Sequence, residues 1–423
     1  MKIALLSTNH DLGGAAIVTR RLTDALRLAG HDARMIVARP GEIIPGDPAV
    51  MAVDRRKWLP PFLAERAELW VKGVRRKDIF KVSTGRYGVG LHRHPFVAEA
   101  DAVIVNWASQ GFLSLASLEK ITATSKPVIY TMHDLWPATS LCHLPGNCPR
   151  FTETNPCATC PYFNGKRGSL LRREIAATKR RVFAADNLRL VAVSNWQRDQ
   201  ALRSAILPGK EITVIPHPFP VDLYTPGEKV TPDGKRLIVM AAARLDDSVK
   251  DLPAAIDTLN TFAWEYPALA ANVEVAFVGE LRDDTELKRL RLPHTSHGLL
   301  TPERLRDLYT RATVVLSSSL YETMGATLME GMAAGAIPVS YGDAGQTDIV
   351  TDTVNGFLAP LHNPASLAFA LSLAFQTALD PDTEITPAFL HTEVARRFSP
   401  STIASRYLSL LPPLIPPLLP TLP

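Results

Sequence analysis

Residues Ser318–Gly335 read SSLYETMGATLMEGMAAG and follow the apolar run Thr313–Ser317. A short apolar, β-branched run suits a buried strand, and the Gly-broken stretch after it suits a strand-to-helix turn. A helix starting near Gly325 would leave the N–H groups of Gly325, Ala326 and Thr327 without intrahelical partners, and its dipole would favour a phosphate there. Glu322 then lies on the preceding loop, and Glu330 lies one turn beyond Ala326, roughly 6 Å along the axis. Two carboxylates so spaced reach different parts of one extended ligand, and each can accept two hydrogen bonds from a vicinal diol of a sugar or ribose.

Working outward, strands are expected at Leu237–Ala242, Val273–Val278, Thr313–Ser317 and Ala336–Ser340, with helical stretches between them. The same rhythm opens the chain. An apolar strand Lys2–Ser7 is broken by Gly13-Gly14, then come helical periodicity over Ala15–Ala29 and a second strand Ala33–Val37. Further strands are expected at Ala102–Asn106, Pro127–Met132 and Leu188–Ser194. Two βαβ series predict an α/β protein of two doubly wound Rossmann-like domains facing across a cleft, with ligands at the carboxyl ends of the strands. The turn Leu207–Lys210 reads as the linker, giving domains 1–206 and 207–388. A helical segment 389–410 with a break at Ser399-Pro400 follows, then a Pro-rich tail 411–423.

The chain has 423 residues, 46% of them hydrophobic and 21% charged, enough for two real cores. Residues 1–200 carry 29 Lys and Arg against 17 Asp and Glu, and the remainder carries 17 against 25. That concentration of positive charge points to an anionic partner such as a membrane surface, whereas no nucleic-acid-binding module is legible. No run approaches the ~20 apolar residues of a membrane span, and the start reads as a strand rather than a signal peptide, so a cytoplasmic or peripheral protein is expected.

With Glu322 and Glu330 in this setting, the chain resembles the family-4 retaining glycosyltransferases of the GT-B fold, whose signature is two glutamates separated by seven residues. The resemblance implies that Glu322 contacts the donor sugar, Glu330 the nucleotide ribose, and the backbone of Met324, Gly325 and Ala326 the distal phosphate. Arg244, ending Ala241–Leu245, and Lys250, opening the next helix, look like the family's cationic pair, which would stabilise charge on a departing nucleoside diphosphate. Gly279-Glu280 and His297–Leu299 fall where the family's nucleobase and donor loops lie. In the first domain, Gly13-Gly14 resembles the loop beside the donor phosphate, His133 the active-site histidine, and Ser194-Asn195 a further contact. Asn106 stands where a subgroup usually has a histidine. Asp11–Ala16 lacks the G-x-G-x-x-G fingerprint, which disfavours a nicotinamide enzyme.

All four cysteines fall within 19 residues, as Cys142-x5-Cys148-x8-Cys157-x2-Cys160, in a loop spanning 140–163. Their clustering, without a secretory signal, predicts a structural zinc site rather than two disulfides, with free or redox-active thiols the other reading and His143 an alternative ligand. A similar cysteine-bearing loop follows the His-Asp motif in a bacterial subgroup of the family. The expected reaction is retaining transfer from a nucleotide sugar to a hydroxyl of a saccharide or lipid-linked acceptor, with no catalytic metal. The rivals are another GT-B enzyme, such as an epimerase or phosphorylase, and a catalytically silent binding protein. Residues 40–99 match the family poorly; with Gly165–Phe183 they carry the basic clusters expected at a membrane.

Overall fold

The computed structural model describes every residue except 42–45, 147, 165–166, 230–233 and 413–423. Nearly all of the Pro-rich tail, and Gly165 of the basic segment, therefore lie outside the described residues. The chain divides into two compact units, Met1–Pro218 with Pro400–Pro423, and Phe219–Ser399.

The first unit is built on seven parallel strands: β1 (Lys2–Asn9), β2 (Asp32–Arg39), β3 (Val50–Ala52), β4 (Ala102–Val105), β5 (Val128–Met132), β6 (Leu188–Ala192) and β7 (Ile212–Val214). Their order is β3-β2-β1-β4-β5-β6-β7, which reverses direction between β1 and β4. Six helices follow in sequence: α1 (Gly14–Leu28), α2 (Arg55–Val71), α3 (Pro95–Glu99), α4 (Leu115–Thr122), α5 (Ser169–Phe183) and α6 (Asn195–Leu202). β4 shows why the sheet is covered on both faces. All four of its residues are buried; Ala102 and Ile104 join the core of Leu22 and Leu26 from α1, while Val103 and Val105 join that of Leu118 and Ile175 from α4 and α5. Alternate side chains of a strand point to opposite faces, so a strand apolar throughout demands helices on each.

The second unit has six parallel strands, β8 (Arg236–Arg244), β9 (Val273–Glu280), β10 (His294–Ser296), β11 (Ala312–Ser317), β12 (Ile337–Tyr341) and β13 (Phe357–Ala359). Their order is β10-β9-β8-β11-β12-β13, with the reversal between β8 and β11. Its helices are α7 (Leu252–Glu265), α8 (Pro267–Ala270), α9 (Pro302–Arg311), α10 (Ala326–Ala333), α11 (Pro364–Leu379) and α12 (Pro387–Phe398). A last helix, α13 (Pro400–Leu408), packs on α1 in the first unit.

Two expected boundaries move. The turn at Leu207–Lys210 does not divide the chain; it joins α6 to β7, whose Ile212 pairs with Leu190, so the first unit runs on to Pro218. The expected segment 389–410 is two helices belonging to different units. Pro400 cannot donate to the preceding turn, and α12 ends at Phe398.

Candidate functional site

In the second unit, α10 begins at Gly325, whose φ of 83° and ψ of 57° place it in the left-handed region that glycine adopts without steric cost. Ala326 is exposed and Thr327 partly so, leaving the first-turn amides at an accessible helix start. The loop before it is tied from several sides. Leu320 N donates to Val249 O at 2.8 Å, the Ser318 hydroxyl to Lys250 O at 2.7 Å, and Gly345 N to Glu322 O at 2.9 Å. The buried Gln346 side chain donates to Ser319 O at 3.0 Å.

These ties bring Lys250 and Glu322, distant in sequence, into a direct ion pair between Nζ and Oε1. Both side chains keep about a quarter of their surface, at 26% and 24%. Lys250 is held there because Asp251, at φ 48°, caps α7 with its side chain. Arg244 ends β8 and bonds Asp246 at 3.2 Å, with 42% of its side chain exposed. All three leave the carboxyl ends of β8 and β11, the strands between which the order reverses, where open α/β sheets bind ligands. Glu330 sits on α10 beside the buried Tyr309 hydroxyl, which burial first and this carboxylate second push well above its usual range. Gly279, next to last in β9, has φ 142°, and a Cβ there would stand 2.0 Å from Ala242 O. Met324 is buried at 3% exposure, so its backbone rather than its side chain is what the loop offers.

In the first unit, Gly13, Gly14, Trp107, His133 and Asp134 line a pocket of about 310 Å³ at the reversal between β1 and β4. His133 follows β5, and its Nε2–H donates to Asn106 Oδ1 at 3.0 Å, which fixes the tautomer. The ring stacks on His217 with centroids 5.3 Å apart. Burial lowers the His133 pKa to about 4, against a smaller opposite effect of Asp134, so the ring is neutral at pH 7. The sequence reading overlooked the anchor beneath it. Asp134 accepts from Trp107 Nε1 at 2.7 Å, His143 Nδ1 at 2.6 Å and Trp136 N at 2.8 Å. Burial alone would raise its pKa, but the charge and hydrogen bond of His143 hold it below the ordinary range. His143 is thereby engaged as a partner of Asp134 and Ser83. Ser194 does not join the pocket lining: it is fully buried and caps α6 through Gln197 N at 3.1 Å.

Cys142 and Cys157 are buried, Cys148 and Cys160 partly so, and all four are free thiols. Among the described residues no three His, Cys, Asp or Glu side chains form a group that could hold a metal ion. The cysteine loop instead rests on two fully buried cations. The Arg172 guanidinium donates to the carbonyls of Cys157, Ala158 and Arg167, and Lys179 to those of Trp136 and Thr139. Lys179 also lies 3.4 Å from the Trp136 ring centre. Burial lowers both pKa values, that of Lys179 strongly.

Among the described residues no helix is long and apolar enough to cross a membrane. Two family models match the chain: Glycosyltransferase Family 4 over residues 12–223, and Glycosyl transferases group 1 over residues 236–376. A stretch of 226 residues is 23% identical to the phosphatidylinositol N-acetylglucosaminyltransferase gpi3 subunit of Schizosaccharomyces pombe, covering 51% of this chain and 47% of that protein. The matching regions span less than half the length of the curated relatives. Among solved structures, the fold is similar to that of sucrose-phosphate synthase from Thermosynechococcus elongatus, at TM-score 0.62 and 17% identity over 96% of this chain and 97% of that one. It is also similar to the Anabaena HepE protein in complex with UDP, at TM-score 0.61 and 16% identity over 97% and 99%. Two doubly wound parallel sheets, each with its own family model, are the GT-B architecture, and the chain belongs to Glycosyltransferase Family 4.

Proposed function

We propose that the chain is a retaining glycosyltransferase that moves a hexose from a uridine-diphosphate sugar to a hydroxyl of a saccharide or lipid-linked acceptor in glycoconjugate or polysaccharide biosynthesis. The observation that carries this reading is the Lys250–Glu322 ion pair beside the accessible start of α10, with Arg244 at the end of the adjacent strand. Two cations and a helix N-terminus offset the charge of a diphosphate, most of all when it departs. Glu322 and Glu330 supply acceptors for sugar and ribose hydroxyls. Uridine is favoured because one protein of the same fold is known in complex with UDP and with UDP-glucose. Neutral His133, fixed by Asn106 over a pocket with Gly13 and Gly14, suits contact with an uncharged hydroxyl.

A thermal-shift panel of nucleotide sugars tests the donor, since a ligand at about 100 times its Kd stabilises by roughly 2.7 kcal/mol. UDP-sugars are expected to shift the transition, and Glu322→Ala and Lys250→Ala to lower transfer by about 100-fold or more. Transfer by either variant at the wild-type rate would remove the assignment, and a β-linked product from an α-linked donor would remove retention.

We also propose that the four thiols bind structural zinc. Support comes from Arg172 and Lys179, buried cations held by carbonyls, for which metal-bound thiolates would be counter-charges. Binding requires the thiols to converge from the arrangement described above. About one zinc per chain, released on conversion of the cysteines to serine, supports the proposal; metal-free protein of unchanged stability refutes it.

A further inference from the structure

A surface helix ordinarily turns its apolar stripe toward the core. α2 does so with Trp58 and Leu69, but carries a second apolar stripe as well. Pro60, Leu63, Ala67, Trp70 and Val71 recur at helical spacing and face solvent, with Leu63, Trp70 and Val71 at 54%, 69% and 67% exposure. The buried face carries Trp58 and Leu69, which join the core, and between them a charged pair. Glu65 accepts from Thr84 N at 2.7 Å and Gly85 N at 3.1 Å, and Arg66 donates to the carbonyls of Ile79 and Val82. The charged pair fixes the segment 79–85, and further bulky apolar side chains are left outside.

Both ends of this stripe are cationic. Arg55, Arg56 and Lys57 open the helix, and Lys72, Arg76 and Lys77 follow its end, about 25 Å away at 1.5 Å per residue. All six are exposed. Of the acids nearby, Glu65 pairs with Arg66, Asp78 with Arg75 and Lys81, and Glu68 with Arg86, while Asp54 caps the helix through Arg56 N at 2.8 Å. Among the described residues the six cations make no ion pair. Asn164 N bonds Gly73 O at 2.8 Å and Arg75 N bonds Tyr162 O at 3.1 Å, so the cationic turn is anchored to the unit rather than trailing from it.

We propose that this face of α2 docks flat on a bilayer containing anionic phospholipid, its apolar stripe entering the acyl boundary and its two cationic ends meeting headgroup phosphates. Apolar side chains flanked by cations are what such an interface selects. A second copy of the chain is disfavoured as the occupant, because a two-fold contact over this stripe would set like charges together. The inference does not depend on the glycosyl-transfer reading.

Flotation of the full chain with phosphatidylcholine vesicles, with and without equal phosphatidylglycerol, tests it. Binding is expected to the anionic vesicles, to weaken steeply as salt rises from about 0.05 to 0.5 M, and to fall about tenfold or more in Leu63→Ser/Trp70→Ser and in Arg76→Glu/Lys77→Glu. Unchanged circular dichroism and urea midpoints in the variants would show that the loss is local. The proposal fails if the wild type does not float with anionic vesicles, if it binds neutral vesicles equally well, or if both folded variants float as the wild type does. It also fails if light scattering shows a dimer that Leu63→Ser/Trp70→Ser dissociates.

Discussion

At the scale of single residues, His133 links stability to pH. Its pKa of about 4 in the folded chain lies below the 6.5 of an exposed histidine. An unfolded chain therefore takes up a proton that the folded chain refuses as pH falls from about 6.5 to 4. Stability is full above that window and declines through it, by about 1–2 kcal/mol for a partly exposed ring. His133→Gln should flatten this part of the urea-stability profile; an unchanged slope would locate the linkage in other groups, the buried His217 first among them. The positions of His133, Glu322 and Lys250 were legible because each lies between a parallel strand's carboxyl end and the next helix. Asp134, His143 and Trp107 were not legible as a unit, since hydrogen bonds between residues 27 and 9 positions apart leave no periodic trace. At Ser194 the residue type could not separate an N-cap from a ligand contact, since both use it in the same place; the structure shows the cap.

Among elements, α13 is the clearest target. Tyr407 is 2% exposed, its hydroxyl lies 2.9 Å from Thr131 Oγ1, and its ring packs with Leu22, Leu26 and Ile403. Tyr407→Ala should cost about 3–5 kcal/mol of the first unit's stability, measured by urea unfolding; a loss under 1 kcal/mol would mean that α13 is dispensable there. Gly279→Ala would place a methyl against the Ala242 carbonyl at the end of β8, and a loss of about 2–4 kcal/mol is expected from the second unit. Long apolar strands such as β1 and β11 could be read from the sequence. Strands β3, β7, β10 and β13 have three residues each, too few for any period to register. The Pro-Gly turn before β7 then passed for a linker.

On the scale of the whole molecule, Arg244, Lys250, Glu322 and Glu330 all lie within Phe219–Ser399. That fragment is expected to fold and to bind UDP, with titration calorimetry as the check; a folded fragment that ignores UDP would place essential donor contacts in the other unit. The division of charge was visible in the sequence, but not its arrangement in space. Residue counts showed a basic first half, and the structure was required to show cations bracketing an outward apolar stripe. The return of Pro400–Leu408 to the first sheet has a consequence for biosynthesis. A ribosome emits residues 1–218 first, yet the helix that covers Leu22 and Leu26 emerges after residue 399. The earlier-made half of the nascent protein must wait with that surface uncovered, and the later-made half can reach its native form before it.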